Sequence, residues 1–489
     1  MRSHAPTDEY LLMTNPDGYR PPLDRAVSHA LEYLRTLSSA PVTAAATLAE
    51  LRARLSRPLT PDGEDSARVI DDLAADAGGG LIGSGGGRFF AWVIGGSVPV
   101  SLAADWLTSA WDQNCGLYVT SPAAAIVEEV CGAYLKDLLG LPSGASFAFV
   151  TGTQMAHVTC LAAARHAVLA RHGWNVEQRG LANGPGVRVI CGAERHGTVD
   201  RAVRLLGLGS DSILPLSVDE QNRLRADELR SALEERRGRP TIVVLQAGEL
   251  NTGAFDPFGE LIPLAHEHGA WVHVDGAFGL WAAASPKYRH LTTGAALADS
   301  WSTDGHKWLN VPYDSGYAFV ADPASHRASM THRSSYMMHE GDARDQVDWT
   351  PEWSRRARGF ATYATIRHLG RSGIAELIER CCRHAADLVR RIGALPGAEA
   401  VWHPIVNQGL VRFHDERVTA GAADHDARTD RVIEEILAAG DAFFGGVTWR
   451  GKRCMRVSVS NWQTNDDDVE RAVAAVASAL RAEATVARS

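Results

Sequence analysis

The segment Asp304-Gly305-His306-Lys307-Trp308 holds one of only four lysines in a chain of 489 residues; the others are Lys136, Lys287 and Lys452. An amine can lose its proton and attack a carbonyl to form an imine, whereas a guanidinium stays charged. Lys307 is therefore the candidate covalent residue, able to hold an aldehyde as a Schiff base. Taken alone, the segment reads better as a surface lysine with its stem along apolar surface. Its companions decide between the two.

Four other segments carry matching chemistry, and each has a plainer reading. Val272-His273-Val274-Asp275 is an apolar run ending in a carboxylate, which would keep a pyridine nitrogen protonated; an aspartate there also caps helices. Thr151-Gly152-Thr153-Gln154 stands where a strand gives way to a helix, so that backbone N–H groups, the Thr153 hydroxyl and the Gln154 amide would cradle a phosphate. The same residues serve as ordinary helix caps. His196, in Glu194-Arg195-His196-Gly197-Thr198, would stack on a flat ring, although a histidine after a strand is more often an ordinary surface or core residue. Asn251 lies in a polar, glycine-punctuated loop from Gln246 to Pro257 that would line the same cleft or simply turn the chain. Together with Lys307, these are the parts required by an enzyme that uses pyridoxal phosphate (PLP).

Composition limits the partners. The net charge of −9 disfavours nucleic acid and anionic membranes, which reward basic surfaces. Seven scattered cysteines include no CxxC pair, so neither a metal site nor a disulfide framework is expected; buried thiols in a reducing cytoplasm fit best. The N-terminus lacks the apolar core of a signal peptide, and no stretch reads as a membrane span.

The elements that must position these residues alternate between strand and helix. Short apolar runs at Phe147–Val150, Val187–Cys191, Ile242–Leu245, Trp271–Val274 and Tyr317–Val320 read as buried strands separated by helical patterns. That alternation predicts an α/β fold with a mostly parallel sheet covered on both faces. Ligands in such sheets collect at the strand ends. Ser121-Pro122 starts a helix, with serine as cap and Ile126, Val130, Tyr134 and Leu138 on one face. Helices are predicted over Arg355–Leu369 and Ile374–Ile392, then strands near Leu410–Phe413 and Met455–Val459 and a last helix over Asp468–Arg481. The expected division is a helical arm over residues 1–80, a large cofactor-binding domain over 81–360 and a small α+β domain over 361–489.

The order of these motifs resembles that of the group II PLP-dependent amino-acid decarboxylases, which include aromatic-amino-acid, glutamate and diaminobutyrate decarboxylases. The resemblance runs from about Phe89 to the C-terminal helix. It is sharpest over Asn251-Thr252-Gly253-Ala254-Phe255-Asp256-Pro257, His273-Val274-Asp275 and the segment from Asp299 to Asn310. It implies a fold-type I (aspartate aminotransferase-like) homodimer with active sites at the subunit interface and an L-amino acid as substrate. Lys307 would be the imine-forming lysine with His306 beside it, Asp275 the partner of the ring nitrogen, and His196 and Ala277 the groups on the two ring faces. Thr153 and Gln154 would lie at the phosphate, Gln154 departing from the small hydroxyl residue usual in the family.

A second departure concerns proton delivery. The aromatic branch uses a tyrosine on a mobile loop, but the matching residues, about Met337–Asp348, contain none; His339 and Tyr336 are the candidate substitutes. The alternative reading is another fold-type I reaction, such as aldehyde synthesis, carbon–carbon cleavage or transamination, because a fold does not fix which bond breaks. Phe89, Phe90, Trp92 and Trp308 are candidate pocket walls, Asn114 and Cys115 candidate polar contacts. Arg355, Arg356 and Arg358 form either a carboxylate site or a solvated basic face.

Overall fold

The computed structural model describes residues 16–235, 237–332, 341–415, 417 and 420–486. Its centre is a seven-stranded sheet made of β1 (Ser146–Val150), β2 (Arg188–Gly192), β3 (Ile213–Leu216), β4 (Thr241–Gln246), β5 (Trp271–Asp275), β6 (Ser300–Asp304) and β7 (Gly316–Val320). The strand order is β1-β7-β6-β5-β4-β2-β3. Only β7 runs against its neighbours, β1 and β6; the β6-β5-β4-β2-β3 ladder is parallel. Apolar cores fill both faces, one of them against the helix Thr153–Ala170.

A second sheet, ordered β10-β11-β9-β8, is antiparallel: β8 (Ala398–Trp402), β9 (Gln408–Phe413), β10 (Gly445–Trp449) and β11 (Lys452–Ser458). The long helix Gly359–Gly393 leads to it, and the helices Ala422–Ala439 and Asp466–Val486 pack with it. The chain before the large sheet also reaches this unit, since the Phe90 N–H donates to the Phe443 carbonyl and the Ser458 N–H to that of Phe90. The expected α/β architecture, large sheet plus smaller C-terminal α+β unit, is thus present.

Several local expectations need correction. Strands β3, β6, β8 and β10 were not anticipated: β6 is Ser-Trp-Ser-Thr-Asp, with no apolar run, and β8 and β10 are only partly buried. The helix expected from Arg355 begins at Gly359. It continues to Gly393 through a break at Gly370, whose φ of 58° is a conformation that favours glycine. In Pro122–Leu138, Ile126 is exposed, and the buried face instead carries Ala124, Glu128, Cys131 and Leu135. Glu128 turns inward because Arg355 meets it there with two hydrogen bonds, at 2.8 and 2.7 Å. Ser121 makes no cap bond; Pro122 alone marks that helix start.

Before the large sheet, the helices Arg20–Thr36, Leu48–Leu55 and Ser66–Ala77 bury none of their residues fully. Among the described residues, no helix is long and apolar enough to cross a membrane.

Candidate active site

Side chains alternate across a strand, so each central strand presents two different faces. On β5, Val272 and Val274 enter one apolar core, while His273 and Asp275 point at the helix Thr153–Ala170. Strand β6 repeats the pattern: Trp301 joins the core, and Ser300, Ser302 and Asp304 face the helix. That helix answers with Thr153 and His157, four residues apart and therefore on one face. A buried polar seam results.

At its open end, Asp304 Oδ2 accepts from the Thr153 N–H and the Thr153 Oγ1, both at 3.0 Å, and Asp304 Oδ1 accepts from the His306 N–H at 2.9 Å. The carboxylate thereby ties the helix start to the turn that carries Lys307. This turn, Gly305–Leu309, is a single wide π-type turn, a form often found at functional sites. Asn310 closes it at φ 57°: its Oδ1 accepts from the Gly96 and Trp462 N–H groups, and its Nδ2 donates to the Ser460 carbonyl. Gly95 packs directly beneath, where any Cβ would strike the Lys307 carbonyl oxygen at 2.0 Å.

Lys307 is partly buried. Desolvation lowers the pKa of its amine; Asp304 and Asp275 pull it back up, and Arg456 lowers it further. The Nζ lies 5.9 Å from the centre of the Phe278 ring. Burial alone would raise the pKa of Asp275, but His157, then Lys307 and His196, outweigh it and hold the carboxyl well below its usual range. Asp275 Oδ1 also accepts from the Ala277 N–H at 3.1 Å.

His196 is exposed and caps the helix Gly197–Leu205, its Nδ1 facing the Thr198 Oγ1 at 2.8 Å and the Thr198 N–H at 3.3 Å. Desolvation lowers its pKa, and the nearby Asp275 and Lys307 charges oppose each other there. His306 donates from Nδ1 to the Val311 carbonyl at 2.8 Å and is stacked by Tyr313 at 3.4 Å. Burial lowers its pKa. Gln154 differs from expectation, because its side-chain amide donates to the Thr198 carbonyl at 3.2 Å. Asn251 donates to Glu249 Oε1 at 3.1 Å, and its own Oδ1 is buried without a partner.

The residues flagged as pocket walls divide. Phe90 and Trp308 are core, and Phe89 is buried; Trp92 is 54% exposed and packs with Phe89 and Phe443. Asn114 bonds to Ser354, and Cys115 sits against Glu128. Neither Arg355 nor Arg356 is a free cation, since Arg355 pairs with Glu128 and Arg356 with Asp105; Arg358 lies 3.6 Å from Glu352. His339 and Tyr336 lie outside the described residues.

Sequence reasoning missed Arg456. It lies on β11, buried, on the face opposite Met455 and Val457, and its charge is felt at both Lys307 and His196. Burial pushes its guanidinium down to about 10, with Glu249 opposing. It makes no ion pair among the described residues. Its only sequence signal was a charge in the middle of a strand expected to be buried.

These features suit pyridoxal phosphate. A buried carboxylate, Asp275, complements a protonated ring nitrogen; the exposed His196 ring offers a stacking face; and at the start of the helix Thr153–Ala170 the Gln154 N–H, which has no partner among the described residues, is left for a phosphate. The described residues contain no cluster of three or more His, Cys, Asp or Glu side chains able to hold a metal.

Comparison with known proteins agrees. The chain is 25% identical over 457 residues to an aromatic-L-amino-acid decarboxylase of Bacillus atrophaeus, covering 91% of this chain and 92% of that one. It is 27% identical over 392 residues to the L-2,4-diaminobutyrate decarboxylase of Rhizobium meliloti, covering 79% and 76%. The solved structure of Oryza sativa TDC with PLP and tryptamine superposes with a TM-score of 0.89 at 23% identity, over 95% of this chain and 98% of that one. This likeness shows the fold, and with it the fold-type I architecture. The model of the pyridoxal-dependent decarboxylase conserved domain matches residues 51–414, and the chain belongs to that family.

Proposed function

We propose that this PLP-dependent decarboxylase removes the α-carboxylate of an L-amino acid, releasing CO2 and an amine, with Lys307 as its covalent residue. The observation that carries the reading is the Lys307 amine, desolvated toward its nucleophilic free base and flanked by Asp275 and Asp304. When bound, pyridoxal phosphate supplies an aldehyde for imine exchange and a ring that takes up the electron pair left as CO2 departs. Asp275 keeps that ring protonated at nitrogen. His196 covers one ring face and Ala277 the other. Thr153, with the helix start behind it, faces the phosphate; His306 and Gln154 border it, and Asn251 lines the cleft. Arg456, a buried cation with no ion pair among the described residues, holds a substrate carboxylate.

The proposal extends to assembly and location. The arm helices expose Leu23, Leu31 and Leu73, each more than half exposed, and Trp106 and Trp111 add to the apolar surface. Such surface fits a homodimer in which residues 1–80 act as an arm, 81–360 bind the cofactor and 361–489 form the small domain. Seven buried, unpaired cysteines fit the cytoplasm.

An absorbance spectrum tests the reading first. A band near about 420 nm that borohydride removes, and that Lys307→Ala lacks, supports the imine; its absence after PLP is added refutes it. Assay of CO2 release across a panel of L-amino acids then names the substrate. Retention of the band without CO2 from any of them would replace decarboxylation with another PLP reaction.

A further inference from the structure

Behind Asp275 lies a continuous chain of buried polar groups that the proposed chemistry leaves unused. His157 Nε2 stands 3.5 Å from Asp275 Oδ2 and has no hydrogen-bond partner. His157 Nδ1 is 2.9 Å from His273 Nε2, His273 Nδ1 is 3.0 Å from Ser300 Oγ, and Trp271 Nε1 donates to Ser300 Oγ at 2.9 Å. Ser302 Oγ adds a 3.3 Å contact to His157 Nδ1. Both imidazoles are fully buried, and Ser300 and Ser302 with them.

One proton arrangement runs through the chain in a single direction. Trp271 donates to Ser300, Ser300 to His273 Nδ1, His273 Nε2–H to His157 Nδ1, and His157 Nε2–H points at Asp275. Burial pushes His273 down to about 3, so this ring stays neutral near neutral pH and passes the orientation along without adding charge. With the Ser300 hydroxyl committed to His273 Nδ1, the alternative tautomer of His273 would set two donors face to face at that link. The Trp271 indole can only donate, so Ser300 Oγ accepts at that link and keeps its own hydroxyl proton for His273 Nδ1.

We propose that His157 is a positioning residue for Asp275: locked by the Trp271–Ser300–His273 chain, it presents Nε2–H to the carboxylate and keeps it anionic and oriented toward the cofactor's ring nitrogen. The proposal rests on the reading that Asp275 is the partner of that nitrogen. Asp275 is faced by His157 from the helix, His273 on its own strand, His196 from the loop after β2 and Lys307 from the turn after β6; the charge of Arg456 reaches the last two. Of these, only His157 comes within ion-pair range of the carboxylate among the described residues. Groups that orient a ligand-holding side chain in this way change function about 10–100-fold when removed.

The test uses holoenzyme reconstituted with PLP labelled with nitrogen-15 in the ring, whose chemical shift reports protonation of that nitrogen. His157→Phe should keep the cooperative thermal melt and the 420-nm region band of the imine. It should move the nitrogen signal toward the unprotonated value at neutral pH, with kcat down about 10–100-fold and KM less affected. His157→Gln, which retains a donor toward Asp275, should recover part of the shift and decides the matter if His157→Phe does not fold. Ser300→Ala should give a smaller shift in the same direction. A signal that stays fully protonated in both His157 variants overturns the proposal. Asp275→Asn separates the premise from it: if this variant leaves the signal unchanged, Asp275 is not the ring partner. If it moves the signal while the His157 variants do not, only the role of His157 fails.

Discussion

The two faces of β5 and β6 are built from neighbouring residues and do opposite work. On one, Val272, Val274 and Trp301 are fully buried among apolar side chains and hold the molecule together. On the other, His273, Asp275, Ser300, Ser302 and Asp304 are just as deep, yet each meets a polar group. Burying those groups costs free energy unless each finds a partner, so the seam exists only because the helix Thr153–Ala170 supplies Thr153 and His157. Stability resides on one face and chemistry on the other, one residue apart in the sequence.

Substitutions should therefore separate by face. The largest effect is expected at the seam's outlet: Lys307→Ala removes the amine, and CO2 release should fall below detection with the protein still folded, as checked by assay beside a thermal melt. Next, Asp275→Asn keeps the shape and deletes the charge, which should lower kcat by about 10²–10³-fold with little change in melting. On the opposite face, Trp301→Ala opens a cavity and leaves Ala295 without its indole donor, a bond of 2.8 Å. Its unfolding free energy should drop by about 3–5 kcal/mol in urea titrations, while the folded fraction keeps near-normal kcat. A variant of Trp301 that lost activity without losing stability would break the comparison.

Acid should also single out the polar face. His273 has a folded-state pKa of about 3, below the usual value near 6.5. Between those two values the unfolded chain binds the extra proton and the folded chain does not. The contribution of this neutral histidine is thus complete above about pH 6.5 and is lost as pH falls toward 3. The depressed carboxyl of Asp275 acts in the same sense at still lower pH, its stabilisation present above its unfolded pKa and lost as pH falls through its folded value. His326, also pushed down to about 3 but bonded to Ser146 and to the Trp349 carbonyl away from the seam, shares the window. Replacing His273 with Gln should flatten the pH 4–6 slope of urea stability and shift the ring-nitrogen titration; replacing His326 with Gln should flatten the slope alone.

The same difference explains what could be read in the sequence. Strands β1, β2, β4, β5 and β7 were legible because each includes an apolar run, and Lys307 because the chain has so few lysines. Strand β6 was not, since Ser300, Ser302 and Asp304 make it polar wherever it meets the seam. His157 was passed over for the same reason: within an alanine-rich helix its partners lie at residues 273 and 275, more than a hundred positions away. Arg456 likewise acquires meaning only when the second sheet sets it near Lys307 and His196. A polar residue in a buried strand is intelligible only once its partner is in view. Apolar residues do not need that, because burial asks of them no particular neighbour.

The smallest expected effects lie at the phosphate end, where two adjacent residues make the contrast sharpest. Thr153 directs its hydroxyl into the seam at Asp304, whereas the Gln154 amide is engaged by the Thr198 carbonyl. Thr153→Val removes one hydrogen bond to a charged oxygen and keeps the backbone N–H that shares it. The loss should be about 1.5–3 kcal/mol at most, seen as faster PLP release on dialysis. Gln154→Ala trims a partly buried side chain from a neutral contact, worth about 0.5–1.5 kcal/mol, and PLP release should change less than for Thr153→Val. The reverse ranking would mean that the Gln154 amide swings onto the phosphate when the cofactor binds, which is the role its position in the sequence suggested.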